Sequence, residues 1–177
     1  LSGTDGPMPL FGAALSGAGD LNGDGYSDLV VGAPRALTAG RVYVYYGGPG
    51  FGPTTVCATG CQQINDPGTN TTDNFGTSVA VGQVGDVAAE GKPDLVVGSY
   101  AFTSSLGRAF IFFGGTGAAT ISTATFVEFR GSAAGGQFGR PAVVLPDLNG
   151  DGLGEVAIAA PNEGTKRGRI YIYRGRT

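Results

Sequence analysis

Short apolar runs, separated by glycine-rich polar segments, recur along the chain. Three of them follow acidic segments: Leu29-Val30-Val31, Leu95-Val96-Val97 and Val156-Ala157-Ile158. Three others follow a Gly-Arg pair and mix aromatic with aliphatic residues: 42–45, 109–112 and 170–173. A strand with one wet face alternates apolar with polar residues, whereas here both alternating sets of positions are apolar. The pattern therefore predicts short β-strands that are covered on both faces.

Three Phe-Gly pairs divide the chain into copies of one repeat about sixty residues long. The pairs are Phe11-Gly12, Phe75-Gly76 and Phe138-Gly139, and the predicted repeats cover about 11–64, 75–129 and 138–177. More polar segments, about 54–64 and 119–129, add a fourth strand to the first two copies. Four short strands per unit are typical of a propeller blade. We therefore predict an all-β fold, one β-propeller segment over residues 1–177 with three four-stranded antiparallel blades, the third lacking its outer strand.

The composition narrows the class of protein. The 34 glycines follow no Gly-X-Y period, so they are turn residues between short strands, and 41% hydrophobic residues indicate a globular core. The 11 lysines and arginines are scattered and the net charge is −3, which argues against a nucleic-acid partner. No apolar run approaches the ~20 residues that a membrane span needs, so no membrane span is predicted.

Cys57 and Cys61 are the only cysteines and flank a short loop that contains Gly60. A zinc site would need about four ligands, but the chain has no histidine and no other thiol. A local disulfide is predicted, with two free thiols as the alternative. A disulfide favours an oxidising, extracellular location.

Acidic loops in the first and third copies place oxygen-bearing side chains at positions 1, 3, 5 and 9. These residues are Asp20, Asn22, Asp24 and Asp28, and then Asp147, Asn149, Asp151 and Glu155. Calcium prefers six to eight oxygen ligands, a glycine at position 6 permits the sharp turn, and the position-7 carbonyls of Tyr26 and Leu153 would add a ligand. The alternative is a polar hairpin turn without metal. Because two copies share the spacing, we predict two Ca²⁺ sites.

Position 12 distinguishes these loops from EF-hands. An EF-hand needs an acidic ligand there and then a helix, whereas these loops have Val31 and Ile158 within β-favouring runs. The predicted metal site is therefore a strand-loop-strand unit.

The second copy departs from the pattern. Asp86, Glu90 and Asp94 occupy positions 1, 5 and 9, but Ala88 replaces the position-3 ligand and Lys92 adds a positive charge. We expect this loop to bind calcium weakly or not at all. The alternative is a metal-free turn closed by hydrogen bonds.

Together these motifs resemble the FG-GAP repeat of integrin α-subunit propellers and their bacterial relatives. The first and third copies carry the Phe-Gly pair, the acidic loop and then Gly32-Ala33-Pro34 or Ala159-Ala160-Pro161, whereas the second has Gly98-Ser99-Tyr100. The resemblance implies calcium loops on one propeller face, between the first and second strands of a blade, and partners that dock mainly on the opposite face.

The leading functional hypothesis is an extracellular adhesion or protein-recognition module, secreted or at the cell surface, with structural calcium and a protein or cell-surface ligand. The alternatives are the propeller part of a larger secreted enzyme of lyase or phospholipase type, and a glycan-binding lectin. No histidine is present to act as a base and no nucleophile elbow occurs, so no catalysis is expected within these residues. Tyr100 and Phe102 stand where the other copies have Pro34 and Pro161, and are candidates for ligand recognition. The alternative is that they fill a loop core.

Two further expectations concern the repeats. Arg41, Arg108 and Arg169 occupy one position of the repeat, which favours a repeated structural ion pair. Propellers have about four to eight blades, so the end faces of the first and third copies need cover. Both ends of the chain look cut within a blade. Additional blades from the same parent chain, or self-association, are expected to supply that cover.

Overall fold

The computed structural model describes residues 1, 9–17, 19–52, 57, 61–68, 72–85, 91–114 and 120–176. Within these residues eleven strands form three antiparallel sheets. The strands are β1 Ala14–Gly17, β2 Leu29–Ala33, β3 Arg41–Tyr45, β4 Cys61–Asn65, β5 Ser78–Gly82, β6 Asp94–Ser99, β7 Arg108–Phe112, β8 Phe126–Arg130, β9 Ala142–Val144, β10 Val156–Ala160 and β11 Arg169–Tyr173. Two helical turns, α1 Phe102–Ser105 and α2 Glu163–Lys166, precede β7 and β11.

Each sheet is a meander of consecutive strands. The first contains β1 to β4, the second β5 to β8 and the third β9 to β11. The all-β fold with three blade-like sheets, the third without a fourth strand, is confirmed. Among the described residues β11 is consequently an edge strand with no outer neighbour.

The core lies between successive sheets. Between the first and second sheets the buried residues are Leu21, Val30, Val42, Val44, Ile64, Phe75, Val79, Leu95, Val97, Phe110, Phe112 and Ile121. Between the second and third they are Val84, Val96, Ala109, Ile111, Phe138, Ala142, Val156, Ile158 and Ala160. Alternate residues of β6 and β7 thus enter two different cores, which explains why both sets of positions are apolar.

The phenylalanine of each Phe-Gly pair packs on the aromatic residues of the third strand of its own sheet. Phe75 lies 5.6 Å from Phe110 between ring centroids, and Phe138 lies 5.4 Å from Tyr171. Phe11 contacts Tyr43 in the same way at 5.2 Å. Each pair therefore begins a sheet by fixing its first strand to its third.

Coverage on both faces is confirmed for β3 and β7, whose residues are all buried. For β11 the expectation is wrong, because Ile170 is 69% and Ile172 58% exposed. Among the described residues no sheet lies over that side of β11, so its outward residues face solvent. This is the open end face that the sequence led us to expect on the third copy.

The end face of the first sheet is covered within the chain itself. Val31, Tyr43 and Tyr45 are each at most 1% exposed and form a buried cluster with Cys57, against which Phe11 packs. The expectation that this face needs cover from outside the chain is corrected accordingly. Cys57 and Cys61 are joined as a disulfide with Cα atoms 4.9 Å apart, which confirms the predicted pairing.

Candidate metal centre

The third-copy loop joins β9 to β10 and is folded around the carboxylate of Asp147. This carboxylate accepts hydrogen bonds from the backbone N–H groups of Gly150 and Gly152, at N···O distances of 2.6 and 2.8 Å. The inward N–H groups of Gly152 and then Gly150 hold the pKa of Asp147 below its ordinary value. The loop sequence therefore creates a tight turn with an ionised carboxylate at its centre.

Three carboxylates of this loop converge. One oxygen from each of Asp147, Asp151 and Glu155 lies within 4.8 Å of the other two. Two oxygens that bind one Ca²⁺ at 2.3–2.6 Å cannot be further apart than about 5 Å, so all three can reach a single ion. Asn149 belongs to the same group, because its amide nitrogen lies 2.5 Å from Oε1 of Glu155. This set of hard oxygen donors fits calcium.

The first-copy loop joins β1 to β2 with the same hydrogen bonds. Asp20 accepts from the N–H groups of Gly23 and Gly25 at 2.5 and 2.7 Å, and Asp24 accepts from Tyr26 at 2.9 Å. The amide nitrogen of Asn22 lies 2.9 Å from Asp24 Oδ2. Its carboxylates are less drawn together, since within the described part of the chain only the third loop brings three of them within 4.8 Å.

Asp28 shows the electrostatic cost of the first loop. Burial raises the pKa of Asp28, the N–H groups of Gly47 and Leu21 oppose that rise, and the negative charges of Asp24 and Asp20 add to it. A bound cation would favour the ionised form of all three carboxylates. The loop is therefore better suited to hold a positive charge than to stand alone.

The position-7 residues are held by the position-5 carboxylates. The N–H of Leu153 donates to Asp151 at 2.9 Å, matching the contact of Tyr26 with Asp24 at 2.9 Å. The Leu153 side chain is buried and the Tyr26 side chain is exposed. The use of these two backbone carbonyls as calcium ligands stays a prediction.

The second-copy loop is only partly described, and Asp86 and Glu90 lie outside the described residues. Asp94 is 1% exposed, and its Oδ2 accepts from the N–H groups of Val84 and Gly85, each at 3.1 Å. Its other oxygen accepts from Gly114 at 3.1 Å. Asp94 therefore ties the start of its loop to the residue after β7.

Position 9 has this structural task in the other copies too, which sequence reasoning missed. Asp28 accepts from Leu21 at 2.7 Å and from Gly47 at 2.8 Å, and Glu155 accepts from Leu148 at 2.7 Å. The available signal was the acid at position 9 in the second copy, where the position-3 ligand is absent. An acid at this position therefore indicates the fold as much as the metal.

Tyr100 and Phe102 follow β6, at the end of the second sheet opposite to Asp94. Both are half-buried, and each ring faces a guanidinium group: Arg140 lies 4.6 Å from the Tyr100 centroid and Arg108 lies 4.3 Å from that of Phe102. These cation–π contacts hold the two rings in place. Their role in ligand recognition stays a prediction.

The repeated arginines are paired in every copy, but with different partners. Arg41 donates to Asn65 at 2.8 Å and to Gln63 at 2.6 Å. Arg108 is buried against Asp66, at 2.6 Å, and Asp73, whereas Arg169 pairs with Glu163 at 2.8 Å. The expected structural pairing is confirmed as a polar contact whose partner depends on the blade.

Comparison with known proteins agrees with this architecture. The FG-GAP repeat family model matches residues 11–45 and 138–173. Integrin alpha-4 of Xenopus laevis is 31% identical over 172 residues, integrin alpha-PS2 of Drosophila melanogaster 32% over 168, and integrin alpha-V of Gallus gallus 31% over 164. These alignments cover 94%, 89% and 89% of this chain but only 15%, 11% and 15% of the relatives.

Proposed function

Because this chain is an FG-GAP repeat, integrin α-like β-propeller module, we propose that it is an extracellular adhesion or protein-recognition module stabilised by calcium. The observation that carries the proposal is the convergence of Asp147, Asp151 and Glu155, whose oxygens lie within 4.8 Å of one another. The alignment with integrin α chains supports the recognition role.

Two loops would hold one ion each. In the third copy the ligands are Asp147, Asn149, Asp151, the Leu153 carbonyl and Glu155, and in the first copy they are Asp20, Asn22, Asp24, the Tyr26 carbonyl and Asp28. The ion would supply positive charge to a loop in which the carboxylates otherwise repel one another. It acts on the fold and takes no part in a reaction.

Calcium would stabilise the folded chain by mass action, because the converged ligand set exists only in the folded state. Position 1 lies at the start of each loop and position 9 directly precedes β2 or forms part of the turn into β10. An ion held by both ends therefore fastens the first strand of a sheet to the second. Extracellular calcium near 10⁻³ M suits loops of modest affinity.

The recognition surface is proposed at the opposite end of the sheets, around Tyr100 and Phe102. The ligand would be a protein or another cell-surface molecule. Two supports are the aromatic rings held by Arg140 and Arg108, and a disulfide that is stable in an oxidising location. Among the described residues no helix has the length and apolarity to cross a membrane.

Calcium titration of chelator-stripped protein tests the metal part of this proposal. Isothermal titration calorimetry is expected to give about two ions per chain, and the same titration with Mg²⁺ is the control for nonspecific charge binding, because Mg²⁺ fits all-protein oxygen cages poorly. Thermal unfolding with and without excess chelator is the second readout. No calcium heat together with an unchanged melting temperature would show that the loops are polar turns.

A further inference from the structure

The outer strand of each complete sheet presents one polar residue to the repeated arginine. Gln63 of β4 lies opposite Tyr43 in the register, and its Oε1 accepts from Arg41 at 2.6 Å. Glu128 of β8 lies opposite Phe110, and its Oε1 is 3.4 Å from Arg108. An amide or carboxylate at this register position therefore completes the arginine's contacts in both sheets.

Each complete sheet also has a buried anchor ahead of its outer strand. Cys57, four residues before β4, is 4% exposed in a cluster with Tyr43 and Tyr45. Ile121, five residues before β8, is 2% exposed in a cluster with Phe110 and Phe112. The anchor thus joins the two aromatic residues of the third strand.

The Ile121 backbone is clamped by the first sheet. Its N–H donates to the Tyr46 hydroxyl oxygen at 3.3 Å, and its carbonyl accepts from the Gln62 amide at 2.7 Å. Tyr46 directly follows β3, and Gln62 pairs with Val44 in the register. The anchor of the second sheet is therefore held in a recess on the first.

The corresponding recess on the second sheet is a cavity. It has a volume of about 400 Å³ and is lined by Val84, Ile111, Phe113, Val127, Tyr173 and Arg176, among others. Val127 pairs with Ile111 as Gln62 pairs with Val44, and Phe113 follows β7 as Tyr46 follows β3. Among the described residues no anchor enters this recess, and β11 beside it has a free edge.

The rim of the cavity and the edge of β11 are basic. Arg174 and Arg176 line the cavity, and Arg169 at the start of β11 has a side chain that is 60% exposed. Arg169 reaches only Glu163, at 2.8 Å, among the described carboxylates. Because an antiparallel neighbour of β11 would run past all three arginines, an acidic strand is favoured.

We propose that the free edge of β11 and this cavity form one docking site for a strand-forming acidic peptide. The peptide adds antiparallel to β11 through backbone hydrogen bonds, as in β-strand addition. A branched aliphatic residue ahead of the strand enters the cavity. A glutamate or glutamine opposite Tyr171 contacts Arg169, and the aliphatic and acidic residues have the spacing of Ile121 and Glu128.

A peptide copying residues 120–131 of this chain is the probe. Fluorescence anisotropy of the labelled peptide, with the full chain at micromolar concentration in millimolar calcium, is expected to show saturable binding. An Ile121→Asp peptide should bind at least about tenfold more weakly, because the cavity is apolar. A Glu128→Lys peptide should lose about fivefold, because it places a cation beside Arg169.

Charge reversal in the protein makes the register specific. Arg169→Glu should weaken the parent peptide and restore the Glu128→Lys peptide, while Arg169→Gln should bind both about equally. Arg35→Glu, an exposed site in the first repeat, is the matched control and should change neither affinity. Unfolding curves verify that every variant is folded.

Three results would overturn the proposal. The first is equal affinity for the parent and Ile121→Asp peptides, which would mean that the cavity takes no anchor. The second is the absence of the charge-reversal rescue in folded Arg169→Glu and Arg169→Gln proteins. The third is self-association of the chain with no binding of any peptide, which would mean that a second copy covers β11.

Discussion

The backbone of Phe138 lies directly against Gly107, with which it forms a parallel β-bridge. Gly107 has a φ of +78°, and a methyl group on its Cα would collide with the Phe138 carbonyl oxygen. Phe75 and Gly40 repeat this relationship between the first and second sheets. The Phe-Gly segment of each later copy is thus fitted onto the glycine of the Gly-Arg pair in the copy before it.

Gly107→Ala should strongly destabilise the chain, because the added methyl forces the second and third sheets apart. We expect a cost of about 3 kcal/mol, and so a melting temperature lower by about 6–12 °C in a scanning calorimeter.

Gly164→Ala is the control for backbone strain alone. Gly164 also has a positive φ, +63°, but a methyl there meets nothing within 4 Å. Its expected cost is about 1 kcal/mol. Equal shifts for the two variants would mean that the Phe138 contact does not limit the packing of the sheets.

Asp151→Ala and Asp24→Ala should each remove about one bound calcium ion, because each deletes the position-5 carboxylate of a complete loop. Calorimetric titration of each variant gives the number directly. Both melting temperatures should then respond less to chelator than that of the parent chain.

Asp94→Ala should behave differently, since Asp94 is already used by the N–H groups of Val84, Gly85 and Gly114. Calcium stoichiometry should stay the same while the fold loses about 2–3 kcal/mol from three unpaired buried donors. A loss of one ion in Asp94→Ala, equal to the loss in Asp151→Ala, would make the second copy a working site.

The sequence was sufficient to predict the strands and their grouping. Val42 to Tyr45 and Ala109 to Phe112 are apolar at every position because each strand lies between two sheets. The same pattern at Ile170 and Ile172 gave the wrong burial. Sequence describes what a strand can pack against, whereas burial depends on whether a neighbouring sheet is present.

The partners of the repeated arginines were beyond sequence reasoning. Arg108 binds Asp66 and Asp73, which lie in the connection between the first and second sheets and are distant in sequence. Only the sheet order brings that connection over β7. The position-9 acids are similar, because their N–H partners follow from loop closure and not from any motif.

Asp73→Asn should change how stability depends on pH. Burial raises the pKa of Asp73 from 3.8, the Arg108 guanidinium opposes this, and Asp66 adds to it. A raised folded-state pKa gives stability that is present below 3.8 and is lost as the pH rises through the folded-state value. The melting temperature of Asp73→Asn minus that of the parent should therefore increase between about pH 3.5 and 6.

Glu128→Gln should show the opposite slope. Burial raises the pKa of Glu128, but Arg130 and Arg108 outweigh burial and lower it below 4.5. Its contribution is present above 4.5 and is lost as the pH falls through the folded-state pKa. The corresponding difference in melting temperature should decrease as the pH rises, and slopes of the same sign in the two variants would contradict both assignments.

Ile111→Ala and Ile172→Ala form a matched pair for the open face of the third sheet. The two isoleucines are the fourth residues of β7 and β11, yet Ile111 is 8% and Ile172 58% exposed. Ile111→Ala should cost about 2–5 kcal/mol and Ile172→Ala less than about 0.5 kcal/mol in urea unfolding of dilute protein. Similar costs would show that Ile172 is covered in solution.

Self-association through that open face is the last expected outcome. Val143, Leu148, Ile170 and Ile172 are 39–69% exposed on the third sheet and its loop, and contiguous apolar surface of this kind favours association. Multi-angle light scattering in millimolar calcium should give a mass that rises with protein concentration. Ile172→Glu should return the chain to a monomer without lowering its melting temperature, because a charge on an exposed face costs little until a partner buries it. Leu37→Glu, at an exposed position in the first repeat, is the control and should leave the association unchanged. A parent chain that stays monomeric at all concentrations and binds no hydrophobic dye would show that this face needs no cover.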